Sequence, residues 1–383
     1  MAVTLRATPR RGHFQHILIA AALAAAVVGV MPIAFAIFGD FGPVGGPVTA
    51  FASAPPGDYA VVARTEGDID VIAVAAVNDP LNATEVARVR HLPGFSTKGS
   101  VSPDGKRVAI VAPDSGTSSQ PRASVLLIEM ETGMQTQLAR DVDPQAPPLW
   151  TRDGSAVVVA RPLGSASARS VVRFVRVRVD GGGEHVMSEH AGVLGAYGIG
   201  FDPRGRFLAV VIDGRGSTLV RDGADVLLLT TQISRDWRLS PDGTQLAFIE
   251  SNLDGGLHYQ ARLQALDGSG PVASAQGLGD GTQQLGVAWR PGSGGPTFGS
   301  EGALATPASG QALTAASALS DGVTGGGGFD VPLGYSGDGT ALAVNHWTGT
   351  GFAQAGKVSL QVVTDGGRTE LAGFGTFFGW AAR

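Results

Sequence analysis

Cysteine is absent from all 383 residues of this chain. Its absence excludes disulfide bonds, thiol-based catalysis, zinc sites built on cysteine, and acylation of a lipoprotein cysteine. Charged residues are scarce, at 16% of the chain, and the net charge is −5, so no nucleic acid or other polyanion is expected as a partner. Glycine is abundant instead, with 57 residues, which is typical of an all-β protein with many tight turns.

The motifs of several enzyme classes are also missing or incomplete. No G-x-S-x-G nucleophile elbow occurs, so we expect no serine hydrolase site. Residues 351–357 resemble a phosphate-binding loop, but Val358 follows where the magnesium-binding hydroxyl belongs, and a strand-connecting loop is expected. The glycines of 195–200 lack the spacing of a dinucleotide-binding turn.

One group of residues invites a zinc interpretation. His185, Glu189 and His190 are spaced one residue away from the inverted zinc-protease motif, which requires a helix. Three glycines at 181–183 indicate a hairpin there, so we expect surface histidines rather than ligands. Three further histidines lie after residue 57 and are isolated in sequence: His91, His258 and His346. Only the fold can bring them together.

The amino-terminal segment contains the one long hydrophobic run. Residues 17–38 comprise 22 residues without a charge, which at ~1.5 Å rise per residue span a hydrocarbon core of ~30 Å. Residues 1–16 carry arginines at positions 6, 10 and 11 and no acid. Because basic residues stay on the cytoplasmic side, we expect a cytoplasmic tail, a single-pass signal-anchor helix in the cell membrane, and the remainder outside the cytoplasm.

A cleaved signal peptide is the alternative for this segment. Small-residue cleavage patterns occur at 34–36 and 50–54, although the apolar run exceeds the ~7–15 residues usual for signal peptides. Residues 39–57 are rich in Gly, Pro, Ala and Ser and predict an extended, mobile tether between the membrane and the rest of the chain.

A repeated turn organises the remaining residues. Leu239-Ser240-Pro241-Asp242-Gly243 precedes an apolar run; Pro presets φ for the turn, and Asp-Gly supplies its polar and positive-φ positions. Related sequences recur along the chain. We call the glycine at the same turn position in each copy a marker glycine: Gly105, Gly154, Gly205, Gly243, Gly292 and Gly339. Their spacings are 49, 51, 38, 49 and 47 residues. A period of ~40–50 residues is typical of propeller blades of four strands each.

These turns resemble the repeat of the TolB-type, WD-repeat-like β-propeller family, in which an aromatic-Ser-Pro-Asp-Gly turn precedes an apolar strand. The resemblance covers roughly residues 58–383. It implies an all-β propeller of four-stranded antiparallel blades. Assigning the repeats along the chain gives seven blades; six remain possible if the weak repeat at 285–316 is an insertion. It also implies a role in interaction, which TolB-like propellers commonly serve, and a monomeric propeller.

The first blade lacks one strand. Strands are predicted at 59–64, 69–74 and 85–89, after which the next repeat begins near Phe95. Residues 374–382 place Trp380 in the aromatic position of the repeat. Because an incomplete blade exposes an unpaired strand edge, we predict that 374–382 pairs with 59–64 and closes the ring.

Two classes of function remain open. The first is a binding or scaffold module for a protein or an envelope component such as a glycan. The second is a lyase-type or glycosidase-type propeller enzyme, which needs paired carboxylates or histidines at the central channel. The loops between second and third strands contain mostly Gly, Ser and Ala, which favours binding. The sequence indicates no catalytic residue, metal ligand, cofactor or cofactor-binding residue, and leaves the partner-binding residues unknown. We expect turn-forming roles for the recurrent Asp104, Asp153, Asp242 and Asp338.

Overall fold

A computed structural model describes residues 50–117, 120–163, 171–252, 257–269, 273–274, 283–292, 295–300, 303–307, 313–315, 328–349, 351 and 354–383. Contacts divide the chain into two units, 1–40 with 117–120, and 41–116 with 121–383; nearly all described residues belong to the second. The predicted cytoplasmic tail 1–16, the membrane span 17–38 and residues 39–49 lie outside the described residues. In the described ranges no helix has the length and apolarity needed to cross a bilayer.

Regular structure in the described residues consists of β-strands and one 3₁₀ turn, Ala50–Ser53. The strands form four-stranded antiparallel sheets. Blade one contains β1 (Asp58–Glu66), β2 (Ile69–Ala76), β3 (Asp79–Arg90) and β28 (Thr376–Ala382). Blade two contains β4 (Lys98–Val101), β5 (Arg107–Thr117), β6 (Gln120–Glu129) and β7 (Gln135–Val142). Blade three contains β8 (Leu149–Trp150), β9 (Ala156–Leu163), β10 (Val171–Arg178) and β11 (Glu184–Ala191).

The later sheets follow the same plan. Blade four contains β12 (Gly195–Phe201), β13 (Phe207–Asp213), β14 (Gly216–Arg221) and β15 (Ala224–Thr230). Blade five contains β16 (Ile233–Leu239), β17 (Gln245–Asn252), β18 (His258–Ala265) and β19 (Ala273–Ser274). The interrupted sheet, whose strands lie between gaps in the described residues, contains β20 (Gln284–Trp289), β21 (Pro296–Ser300), β22 (Ala303–Pro307) and β23 (Leu313–Ala315). The last blade contains β24 (Phe329–Tyr335), β25 (Ala341–Trp347), β26 (Val358–Thr364) and β27 (Gly367–Glu370).

This part of the chain is an all-β propeller with six four-stranded blades, in addition to the interrupted sheet. The first strand of each sheet contacts the first strand of the next, and β24 contacts β28, which contacts β4. These inner strands therefore surround a central channel, as expected for a propeller.

The hydrophobic core is divided among the spaces between neighbouring sheets. Val61 and Ile72 of blade one pack with Ile110 of blade two, whereas Val62 packs on the other side with Leu360 of the last blade. The second strand of each blade is buried on both faces, which is why its sequence is a continuous run of Val, Ala, Leu and Ile rather than an alternating pattern.

Blade one is closed by both ends of the described chain. β28 pairs antiparallel with β1, from Asp58 opposite Ala382 to Ala63 opposite Thr376. This is the pairing that the sequence predicts for residues 374–382. Phe378 is buried in the core between blades one and two, so the pairing also covers apolar surface.

The expectation of an extended, mobile tether over 39–57 is wrong for its final residues. Phe51 is only 3% exposed, and its ring packs edge-on against Tyr59 with centroids 5.2 Å apart. The backbone of Gly57 exchanges two hydrogen bonds of 3.0 Å with Arg383. The composition of this segment predicts a linker. Its final residues pack on blade one instead, because burying the Phe51 ring lowers the free energy relative to leaving it in water.

The recurrent turns have the predicted geometry. The marker glycines have positive φ, including +70° at Gly105, +66° at Gly154 and +73° at Gly243. The recurrent aspartates form hydrogen bonds within the turns, as expected. In each turn, the hydroxyl two residues earlier donates to the aspartate carboxylate at 2.5–2.7 Å. The pairs are Ser102 with Asp104, Thr151 with Asp153, Ser240 with Asp242 and Ser336 with Asp338.

Candidate functional site

The inner strand of blade five differs chemically from the other inner strands. β16 places two arginines, an aspartate and a tryptophan at 235–238, whereas β12 has three glycines and β20 is mostly apolar. We call Tyr197, Arg235, Asp236, Trp237 and Arg238 the channel patch. Because inner strands surround the channel, the backbone of these residues lies beside it.

A backbone irregularity shapes β16. Its register with β17 shifts between Arg235 and Arg238, and Asp236 has a φ of +55°. At the register shift of β20 the residue with positive φ is Gly286, which adopts this conformation without steric cost. Asp236 is therefore a non-glycine residue held in a left-handed conformation, a feature that concentrates at ligand-binding and switch sites.

An aromatic pair forms the apolar part of the channel patch. The rings of Tyr197 and Trp237 stack with centroids 4.9 Å apart and an interplanar angle of 30°. Tyr197 is 44% exposed, and the indole Nε1 of Trp237 donates to Ser234 Oγ at 2.8 Å. Burial of the hydroxyl and the nearby charge of Asp143 raise the pKa of Tyr197, so its O–H remains a hydrogen-bond donor at neutral pH.

Two arginines form the charged part of the channel patch. The Arg235 guanidinium lies 5.3 Å from the ring centroid of Tyr259, and its Nε is 3.0 Å from Asp236 Oδ2. The Arg238 side chain is exposed to solvent, and its Nη1 donates to the backbone oxygen of Trp237 at 3.2 Å. In the described part of the chain Arg238 makes no ion pair. A guanidinium in this position is a cation available to a ligand.

The histidines fall in separate places. β11 is a strand, so the helical zinc arrangement is absent and His185 is exposed as expected. The expectation of a surface residue is wrong for His190, which is 9% exposed, lies 3.1 Å from Ser188 Oγ and packs edge-on against Phe174. Burial lowers the pKa of His190, which favours its neutral form.

The other three histidines do not converge. His91 is buried beside Asp70 in blade one, with Nε2 3.3 Å from Oδ1. His346 lies in the last blade, with Nδ1 2.9 Å from Asp330 Oδ1, and His258 begins β18. Among the described residues no group of three or more His, Asp or Glu side chains is arranged to hold a metal ion.

The glycine-rich segments belong to the β framework. Residues 195–200 are part of β12. Residues 351–357 connect β25 to β26, with a bridge between Gly351 and Gln354; residues 352 and 353 lie outside the described residues. The channel patch itself is missing from the sequence analysis, although charged residues beside an aromatic on a predicted inner strand are a signal that could have revealed it.

Comparisons with known proteins identify the fold. No protein-family model and no curated protein matches the chain. A prolyl endopeptidase structure matches with a TM-score of 0.54 and 12% identity over 86% of this chain and 49% of its own. Prolyl oligopeptidase B from Galerina marginata matches with a TM-score of 0.50 and 11% identity over 85% of this chain and 52% of its own. The chain thus spans about half the length of these two peptidases.

TolB from Acinetobacter baumannii is also similar in structure, with a TM-score of 0.49 and 13% identity over 99% of this chain and 75% of its own. At such identities the likeness to solved structures concerns the fold alone. The fold is that of a β-propeller.

Proposed function

We propose that this chain is a binding or scaffold module that holds a protein or an envelope component at its central channel. The observation that carries the proposal is the stacked pair of Tyr197 and Trp237, of which Tyr197 is 44% exposed, together with the exposed Arg238 that follows Trp237 and has no acidic partner among the described residues. Exposed aromatic rings and guanidinium groups are the residue types that dominate binding hot spots.

The chemistry of the channel patch indicates what it binds. Stacked rings present an apolar face to a second ring or to a sugar, and Arg238 attracts a carboxylate or another anionic group. The chain as a whole carries a net charge of −5, and Arg235 is paired with Asp236, so Arg238 supplies the uncompensated positive charge of the channel patch. The ligand that fits is a ring-bearing, negatively charged segment of a partner.

The proposed setting is the outer side of a cell membrane. The support is the uncharged run at 17–38 after three arginines, which favours a single-pass anchor with the propeller outside the cytoplasm. Protease added to spheroplasts should then digest the propeller, and the cell-associated protein should retain its amino terminus. A mature protein beginning near Pro55 would instead support a cleaved signal peptide.

We also propose that the interrupted sheet is a seventh blade. Its inner strand β20 contacts the inner strands of blade five and the last blade. Val287 packs with Ile249 of blade five, whereas Ala288 packs with Leu342 of the last blade. A sheet that contacts both neighbours through opposite faces has the environment of a blade and not of an insertion.

Site-specific photocrosslinking in cells tests whether a partner binds at the central channel. A photoreactive amino acid replaces Tyr197 in one variant and Val226, an exposed residue of the outer strand β15, in the matched control. We expect an adduct from position 197, none from position 226, and loss of the adduct when Trp237→Ala and Arg238→Gln are added. No adduct from position 197, or equal adducts from both positions, contradicts a channel-binding module. Turnover of polysaccharides that depends on a channel residue would support the enzyme alternative instead.

A further inference from the structure

A polar cavity separates blades two and three, away from the channel patch. Its volume is about 520 Å³, within the range of ~300–1,000 Å³ that is usual for small-molecule sites. It lies between the outer strand β7 of blade two and three strands of blade three. The polar side chains of its lining are Gln137, Arg140, Asp141, Arg161, Arg173 and Glu184.

Two arginines face each other on adjacent strands of this cavity. Arg161 of β9 and Arg173 of β10 are direct cross-strand partners. Like charges in this position destabilise a sheet unless anions compensate them. Glu184 accepts two hydrogen bonds of 2.6 Å from Arg161, and a single oxygen of Glu189 accepts two from Arg173, at 2.7 and 2.8 Å.

These acids leave donors of the arginine pair unused. The Nε of Arg161 is buried and has no hydrogen-bond partner. Glu189 binds Nε and Nη2 of Arg173, whose side chain is 37% exposed, and within the described residues its Nη1 makes no hydrogen bond. The unused Nη1 of Arg173 is the donor of this pair that an anion in the cavity can reach, whereas Nε of Arg161 is closed to solvent.

A third arginine lies on the blade-two side of the cavity. Nε and Nη2 of Arg140 donate to the amide oxygen of Gln137 at 3.1 and 2.9 Å, and in the described part of the chain no acid pairs with this arginine. The adjacent Asp141 has a φ of +55°, and its carboxylate pairs with Arg122 Nη1 at 2.7 Å. The acid next to Arg140 is therefore engaged outside the lining.

The charges of the lining match a ligand with one negative charge. The lining carries three arginines and the carboxylates of Asp141 and Glu184. The two pairing residues outside it, Arg122 and Glu189, cancel each other, so one excess positive charge remains in a chain whose net charge is −5. Planar guanidinium groups bind a carboxylate through two parallel hydrogen bonds. Leu138 and Leu163 add apolar wall, against which the C–H face of a sugar ring can pack. We propose that this cavity binds a carboxylate-bearing saccharide of the uronic acid class.

The test is calorimetric titration of the full chain in detergent with glucuronate, glucose and inorganic phosphate. We expect binding of glucuronate, no heat from glucose, and weaker binding of phosphate. Arg140→Gln and Arg173→Gln should each weaken glucuronate binding roughly tenfold or more, because each removes a charge-assisted donor. Arg215→Gln is the matched control, since Arg215 lies in blade four, pairs with Asp213 and Asp225 and does not line the cavity, and it should leave binding unchanged.

Several outcomes would overturn the proposal. They are no glucuronate binding up to about 10 mM, equal binding of glucose, tighter binding of phosphate, or equal weakening by the control substitution Arg215→Gln. If Arg173→Gln does not fold, Arg140→Gln decides the question alone, because Arg140 is exposed and bonds only to Gln137 among the described residues. Trp237→Ala should leave glucuronate binding intact, which separates this site from the channel patch.

Discussion

The indole Nε1 of Trp380 donates a hydrogen bond of 2.9 Å to the backbone oxygen of Gly334. This bond connects the inner strand of blade one to the inner strand of the last blade. The aromatic position of the repeat makes the same bond elsewhere, from Trp150 to Ser100 and from Trp289 to Arg238, at 3.0 Å in both cases. The repeated aromatic residue therefore joins each of these sheets to the preceding one.

We predict that Trp380→Ala lowers the free energy of unfolding by about 3 kcal/mol, because it removes a ring packed against Phe377 together with the bond to Gly334. Trp380→Phe keeps most of the packing and loses the N–H, so its cost should be near 1 kcal/mol. Denaturant unfolding of both variants measures the difference. Equal costs would show that the hydrogen bond, rather than the ring, dominates.

Two glycines with similar backbones test how closely the chain ends fit. Gly105 and Gly205 have φ values of +70° and +76°. A Cβ at Gly105 would lie 2.7 Å from the backbone nitrogen of Ala382, whereas one at Gly205 would have no atom within 4 Å. Gly205→Ala should cost about 1 kcal/mol from backbone strain, and Gly105→Ala about 1–3 kcal/mol more because β28 must move. Similar melting temperatures for the two variants would contradict this close packing.

The turn aspartates predict a loss of stability in acid. Hydrogen bonds from Thr151 and Ser155 lower the pKa of Asp153 to about 2, from an ordinary value of 3.8. A lowered folded-state pKa stabilises the fold above the unfolded value, and this stabilisation is lost as pH falls from about 4 to 2. Asp153→Asn should therefore flatten the dependence of unfolding free energy on pH in that window. An unchanged slope would show that Asp153 does not contribute to it.

A buried carboxylate in the last blade depends on one arginine. Asp330, whose side chain is 6% exposed, accepts hydrogen bonds of 2.8 and 2.5 Å from Arg368. Arg368→Met should destabilise the fold by about 3 kcal/mol or more, because among the described residues it leaves the buried charge of Asp330 with His346 as its remaining ion-pair partner. Arg122→Met, at a side chain 67% exposed, should stay within about 0.5 kcal/mol. Comparable effects of the two substitutions would contradict the difference in burial.

The sequence predicts the parts of this fold that depend on local chemistry. The turn at Ser240-Pro241-Asp242-Gly243 is encoded within a few residues, and its period reveals the blades. The closing strand is also predictable, because the first blade lacks one strand and the aromatic segment 374–382 is a strand without a blade of its own. Both inferences need only the chain order and the rules of strand pairing.

The candidate sites could not be predicted in the same way. Tyr197 and Trp237 are 40 positions apart, and their stacking depends on the angle between two blades. The cavity between blades two and three depends on which face of β9 and β10 turns toward β7. His190 is buried because of the register of one outer strand, which composition does not determine.

The pairing of β28 with β1 has a mechanical consequence. The two strands run antiparallel, and Asp58 lies opposite Ala382. The first residue of β1 and the last residue of β28 are therefore at the same end of the strand pair. A pulling force applied between residues 58 and 382 would load these hydrogen bonds one after another, like a zipper, instead of all at once. Under tension applied in this direction, blade one would open first, and the remaining blades would follow from the newly exposed edge.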